Sequence, residues 1–160
     1  MKHFMRHGKM NCIFDSNVEK ENNVADMTFS GSCLCGAIQY EFSGEPTRFY
    51  HCHCQRCRKA TGTGHATNLF IKPAKVTWIK GEELLRYFKV PEAERFTRCF
   101  CQHCGSSMPR VVPELGMAMI PAGSLDSDLS IVPQARIFWD SRAAWSCSTT
   151  DIPVYPEYVP

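Results

Sequence analysis

Eight of this chain's ten cysteines fall in three short clusters: Cys33-Leu34-Cys35, Cys52-His53-Cys54-Gln55-Arg56-Cys57 and Cys99-Phe100-Cys101-Gln102-His103-Cys104. Thiolates at such spacings are the ligands from which zinc builds tetrahedral sites. Disulfides fit the pattern poorly, because cysteines one residue apart do not easily adopt the fixed dihedral and the Cα separation of about 5.5 Å that a bridge requires. Residues 1–11 are polar and basic with no apolar run of the secretory kind, so the expectation is a cytoplasmic chain that keeps its thiols reduced. Eight clustered sulfurs could serve one or two ions, and the question is how they group.

A structural site gains most by joining knuckles far apart in sequence, since closing a long loop removes the most chain entropy. Cys33 and Cys35, followed by Gly36, make one two-sulfur knuckle, and Cys101 and Cys104, followed by Gly105, make another. Together they give a closed four-sulfur site whose role is to hold the fold. Cys52, Cys54 and Cys57 remain, and three protein ligands plus an open position is the pattern of a reactive zinc. Cys99, His51, His53 and His103 are the candidates to close that site instead. Cys99 is the most serious, because it alternates with Cys101 and on a strand would face the same side.

Three thiolates donate strongly and weaken the Lewis acidity of their ion, so making hydroxide suits such a site less than accepting a soft fourth ligand, a substrate thiolate. A three-cysteine zinc deaminase is the exception, but its His-x-Glu and Pro-Cys-x-x-Cys motifs are both missing. Arg56, Arg58 and Lys59 bracket Cys57 and could hold the carboxylates of an anionic thiol or lower its pKa; as solvated surface cations they would do neither. The loop Thr61-Gly62-Thr63-Gly64 is polar and flexible enough to let a substrate backbone approach. His53 could move protons near neutral pH, or simply face solvent. His65 could line a pocket or cap a strand. Asp126, Trp139, Arg142 and Trp145 could line the site, though a turn aspartate and core indoles are the commoner reading.

The elements that must position these groups are mostly strands. Alternating or β-rich stretches at 37–42, 65–71, 76–79, 84–88, 95–100, 107–112, 117–120 and 135–139 are separated by turn signals at 44–46, 80–81, 90–91 and 121–123. One short helix is expected at 55–60. Residues 1–27 are rich in Lys, Glu, Asn and Asp and poor in large apolar side chains, which predicts a flexible N-terminal extension carrying Cys12 as a bystander. A single domain at 28–160 follows, ending in a proline-rich irregular tail. A net charge of +2 without a basic run predicts no nucleic-acid partner, and no apolar stretch approaches the 18 residues of a spanning helix.

At Gly31-Ser32-Cys33-Leu34-Cys35-Gly36-Ala37-Ile38, Cys52-His53-Cys54-Gln55-Arg56-Cys57-Arg58 and Phe100-Cys101-Gln102-His103-Cys104-Gly105-Ser106 the chain resembles the glutathione-dependent formaldehyde-activating enzyme family, which includes centromere protein V. A looser likeness covers 122–126 and 139–153. The resemblance implies a mainly β, Mss4-like fold of short-stranded sheets with little helix, stapled by zinc. It implies two zincs per chain: a structural one on Cys33, Cys35, Cys101 and Cys104, and a catalytic one on Cys52, Cys54 and Cys57. The activity implied is that of a carbon–sulfur lyase joining glutathione to formaldehyde as S-hydroxymethylglutathione, with small molecules as the only expected partners. Cys99 departs from the family pattern, and residues 1–27 are unmatched. The contrasting expectation is a non-enzymatic zinc-binding interaction module in which both ions are closed by protein.

Overall fold

A computed structural model of the chain describes residues 28–147 and 153–158; the expectations for residues 1–27, Cys12 included, lie outside the described residues. The first sheet starts where apolar side chains alternate with polar ones. In β2 (Gln39–Ser43) Tyr40 and Phe42 are buried while Gln39 and Glu41 are exposed, the period-two signature of a half-buried strand. β1 (Phe29–Ser32) pairs antiparallel with it, stacking Phe29 on Phe42 at 5.3 Å between ring centroids. β5 (Lys75–Lys80) pairs on the other side, bringing Trp78 edge-on to Tyr40 at 5.8 Å. Gly31 is required where it stands, because a Cβ there would run into the Tyr40 phenol and the Ser124 carbonyl.

The second sheet has the order β10-β3-β4-β9-β8, built from β3 (Pro46–Cys52), β4 (Ala66–Ile71), β8 (Arg110–Val112), β9 (Met117–Pro121) and β10 (Ala135–Ile137). Its pairings are antiparallel except β10 with β3, which run parallel. A hairpin of β6 (Leu85–Lys89) and β7 (Thr97–Cys101) forms the third sheet. Between the sheets lies one core, in which Ile38, Leu69, Ile71, Ala118, Ile120 and Cys101 are fully enclosed. The protein is mainly β with small sheets, as the sequence predicts.

The only α-helix among the described residues is α1 (Gln55–Thr61), one residue longer than expected. It is opened by a thiol: the Cys54 sulfur accepts the Cys57 backbone N–H at 3.4 Å. Gly62, at φ 71°, closes it by giving its N–H to the Arg58 carbonyl. Three expectations are revised. The strand at 107–112 shrinks to β8, because Pro109 has no N–H to give a ladder and only Ser107 bridges to Phe100. The strand at 135–139 stops at Ile137, where Phe138 turns into the left-handed region at φ 55°. Two strands that the sequence did not announce, β1 and β3, complete the sheets. No helix among the described residues is long and apolar enough to cross a membrane.

Candidate metal centres and an adjoining cleft

Two turns bring four sulfurs together. The β1–β2 turn is closed by Gly36 at φ 68°, whose N–H reaches the Cys33 carbonyl at 2.8 Å. The loop after β7 is closed the same way by Gly105, at φ 74°, on the Cys101 carbonyl. Cys33, Cys35, Cys101 and Cys104 then hold their sulfurs within 4.8 Å of one another. The Cys33–Cys35 and Cys35–Cys101 separations, 3.5 and 4.0 Å, straddle the roughly 3.8 Å edge of a tetrahedron with zinc–sulfur bonds of about 2.3 Å. Backbone N–H groups of Ile38 and His103 point at the Cys33 and Cys101 sulfurs, at 3.2 and 3.4 Å, as they do around thiolates. Ser106 ties the knuckles together: its hydroxyl accepts the Leu34 N–H at 3.0 Å and lies 3.2 Å from the Cys104 sulfur. That side-chain contact and the Ser106 backbone hydrogen bond draw the Cys104 thiol down to about 5. The donor set fits a closed zinc site.

The second group is Cys52, Cys54 and Cys57, again within 4.8 Å of one another, and no fourth His, Cys, Asp or Glu among the described residues joins it. Cys52 ends β3, Cys54 caps α1, and Cys57 lies in its first turn. A hydrogen bond from Cys57 draws the Cys52 thiol down to about 6 against the opposing cost of burial, and the same bond pushes Cys57 up. The three converging sulfurs fit a soft cation such as zinc.

Cys99 belongs to neither group. β7 continues as a strand through Cys101, so Cys99 sits one strand repeat, about 6.6 Å, behind it. In the Cys52–Cys57 cluster the strand ends at Cys52 instead, and the turn into α1 folds Cys54 and Cys57 back toward it. The same Cys-x-Cys-x-x-Cys spacing thus gives three converging sulfurs in one place and two in the other. Buried in the core, Cys99 has its thiol pushed up by desolvation, although a hydrogen bond from Tyr87 opposes this.

Behind the trio, the parallel pairing of β10 anchors the chain: the His53 N–H reaches the Ile137 carbonyl at 2.9 Å. His53 is fully buried, not solvent-facing, with its ring 5.2 Å from that of His65 and edge-on to Trp139 at 5.0 Å. Neither ring nitrogen has a well-formed hydrogen bond. Burial, with His65 and the Arg136 and Arg142 cations adding to it, holds His53 below the usual histidine range. His51 gives or accepts a hydrogen bond to Thr67 at 2.9 Å. Trp139 carries Arg142 over its ring at 4.5 Å and Arg136 at 5.5 Å, whereas Trp145 is exposed. At Gly64 a Cβ would strike the Ser146 hydroxyl, so the chain's last described turn before 153 seats directly on the loop beside the trio. That turn also carries Cys147, exposed, which the sequence reading passed over.

A cleft of about 830 Å³ is lined by Cys57, Thr61, Thr63 and His65, by residues of β7 and β8, and by Asp126. Arg56, Arg58 and Lys59 are not among its lining residues. Arg56 is exposed and stacks 5.9 Å over Phe96, Lys59 is exposed, and Arg58 keeps its Nε buried without a partner. The cations that line the cleft are Arg95, Arg98 and Arg110, none of which the sequence singled out. Their signal was faint, since each is an isolated arginine around the third cysteine cluster.

The family model described as glutathione-dependent formaldehyde-activating enzyme matches residues 28–141. A Halomonas elongata protein named "Putative glutathione-dependent formaldehyde-activating enzyme" is 32% identical over 127 residues, covering 74% of this chain and 80% of its own. Among solved structures, a Rhodobacter sphaeroides protein aligns at 20% identity with a TM-score of 0.45, covering 65% of this chain and 97% of its own.

Proposed function

The chain belongs to the glutathione-dependent formaldehyde-activating enzyme family, and from that premise we propose that it is a zinc-dependent carbon–sulfur lyase acting on a glutathione–aldehyde adduct, with formaldehyde as the family's aldehyde. In this reading Cys33, Cys35, Cys101 and Cys104 hold a structural zinc and Cys52, Cys54 and Cys57 a catalytic one. The observation that carries it is the trio itself: three converging sulfurs beside a cleft, with no fourth protein donor among the described residues.

When bound there, zinc supplies a soft fourth position that keeps a substrate sulfur as thiolate. The reaction joins that sulfur to the aldehyde carbon; the carbonyl π pair moves to oxygen, and the proton lost from the thiol ends on that oxygen. His65 lines the cleft beside Cys57 and is the side chain we place at the aldehyde oxygen, where its ring can hold the proton. Its ring packs against His51 at 4.4 Å and lies near His53, which keeps it from swinging away. Trp139 packs edge-on to His53, and Ser146 seats on Gly64, the residue before His65.

The interaction-module reading would need a protein ligand to close the second ion, and Cys99, the best candidate for it, lies outside the three-sulfur group although it lines the same cleft as Cys57. The test is to incubate zinc-loaded protein with glutathione and formaldehyde and follow adduct formation by NMR above the spontaneous rate. Cys54→Ser should abolish the enhancement while leaving the fold intact. No enhancement by the zinc-loaded wild type, with any aldehyde tried, would overturn the proposal.

A further inference from the structure

The cleft that Cys57 lines is lined also by three arginines, Arg95, Arg98 and Arg110. Arg98, on β7, gives an Nη2 hydrogen bond to the Ser107 hydroxyl at 3.1 Å and lies 5.7 Å over the Phe100 ring. Arg110, at the start of β8, gives Nη1 to the Arg95 carbonyl at 3.2 Å. Both are part-buried, and Arg95 stands exposed at the rim. Each guanidinium is thus braced by a neutral acceptor on a residue that itself lines the cleft, with most of its N–H donors left over. Their charge is scarcely countered. Among the described residues the only ion pair is Arg95 with Glu94, both largely in solvent. Among the described residues the one acidic group lining the cleft, Asp126, accepts a hydrogen bond from the Ser32 hydroxyl at 3.0 Å.

Two braced, unpaired arginines in a concave site are placed to grip carboxylates in the bidentate manner of a guanidinium fork. The cavity, at about 830 Å³, is large enough for a tripeptide. We infer that Arg98 and Arg110, with Arg95 at the rim, form the carboxylate-binding end of the cleft and select a thiol that is also a polycarboxylate, a peptide thiol over a small neutral one. This extends the reading in which the trio takes the substrate sulfur, and it transfers the anion-holding role from Arg56, Arg58 and Lys59, which do not line the cleft, to arginines that do.

The test must separate the two ends of the cleft. S-methylglutathione keeps both carboxylates and has no free thiol, so it reports on the arginines alone; its diethyl ester removes the negative charges. With zinc-loaded full-length protein, ligand-observed NMR should show S-methylglutathione binding at least tenfold more tightly than its diester. Arg110→Met should weaken the acid by about tenfold to a hundredfold and leave the diester unchanged, as loss of a charge-assisted contact does. Arg98→Met should do the same. If its lost stacking on Phe100 unfolds it, Arg110→Met decides alone. Equal binding of acid and diester by the wild type, or equal weakening of both by Arg110→Met, overturns the inference. The sulfur end is read separately: glutathione binding no more tightly than S-methylglutathione would count against the trio and not against the arginines.

Discussion

If one ion staples the fold and the other serves chemistry, removing each should have unequal consequences for stability. Cys35→Ser and Cys54→Ser are a matched pair for this comparison. Cys35 is exposed, so serine there leaves no cavity. Cys54 caps α1 through its side chain, and serine is itself a favoured cap, so helix initiation survives. What each change removes is a crosslink. The first site ties Cys35 to Cys101 across 66 positions, and the chain-entropy relation used for disulfides values such a closure at about 4 kcal/mol. The second encloses about five residues, from Cys52 to Cys57, for which the same relation gives about 2 kcal/mol, an upper figure because β3 and α1 already hold that turn. Urea unfolding of zinc-loaded protein should therefore show the Cys35→Ser midpoint falling by about 2 M and that of Cys54→Ser by no more than about 1 M, taking a typical slope of about 2 kcal/mol per molar. Metal analysis should find one zinc in each variant against two in the wild type. If Cys54→Ser proves as destabilising as Cys35→Ser, the division into structural and reactive sites is wrong.

Acid should empty the two sites in order. Metal affinity falls as pH drops because protons compete for the sulfurs, by about tenfold per unit for each proton displaced. The trio holds its ion with three sulfurs and the tetrad with four, so the weaker grip of the trio should fail first. A zinc-sensitive dye should record release from the three-sulfur site first; simultaneous release, or the reverse order, refutes this. Tyr40→Phe removes a buried hydroxyl that lies 2.7 Å from the Ser124 side chain and 3.2 Å from its carbonyl, and should cost about 1–2 kcal/mol at neutral pH. Burial raises the Tyr40 phenol to about 12, so the wild type keeps this contribution below the unfolded value near 10 and loses it as pH climbs from 10 to 12. The gap between wild type and variant should close over that interval, and a gap that stays constant would refute the assignment.

The cysteine grouping was legible in the sequence because it depends on local geometry: knuckles of two or three residues followed by a glycine. Strands such as β2 and β4 were legible for the same reason, their alternation being written in consecutive residues. β3 was not, since it opens on Pro46 and ends in His51 and Cys52, residue types that suggest a turn and a ligand loop. β1, with the sequence Phe-Ser-Gly-Ser, looks like a linker until Tyr40 is seen to need the space above Gly31. Whether Cys99 joins the trio depends on where β7 ends, a matter of pairing with β6 that spacing alone could not decide. The anion-holding residues were sought next to Cys57 along the chain. Arg98 and Arg110 reach the same cleft only because separate sheets are packed together, and nothing in one sequence reports that distance.

The parallel partnership of β10 with β3 has a temporal side. Residues near 51 must wait for residues near 136 before the backbone behind His53 is fixed, a contact of long sequence separation and therefore late in folding. The three sulfurs come from one short stretch, Cys52 to Cys57, yet the strand at their back pairs Ile137 with Cys52, about 85 positions apart. The trio is thus a local structure and its backing a non-local one, so a substitution that frees β10 should loosen the backbone behind His53 without scattering the sulfurs.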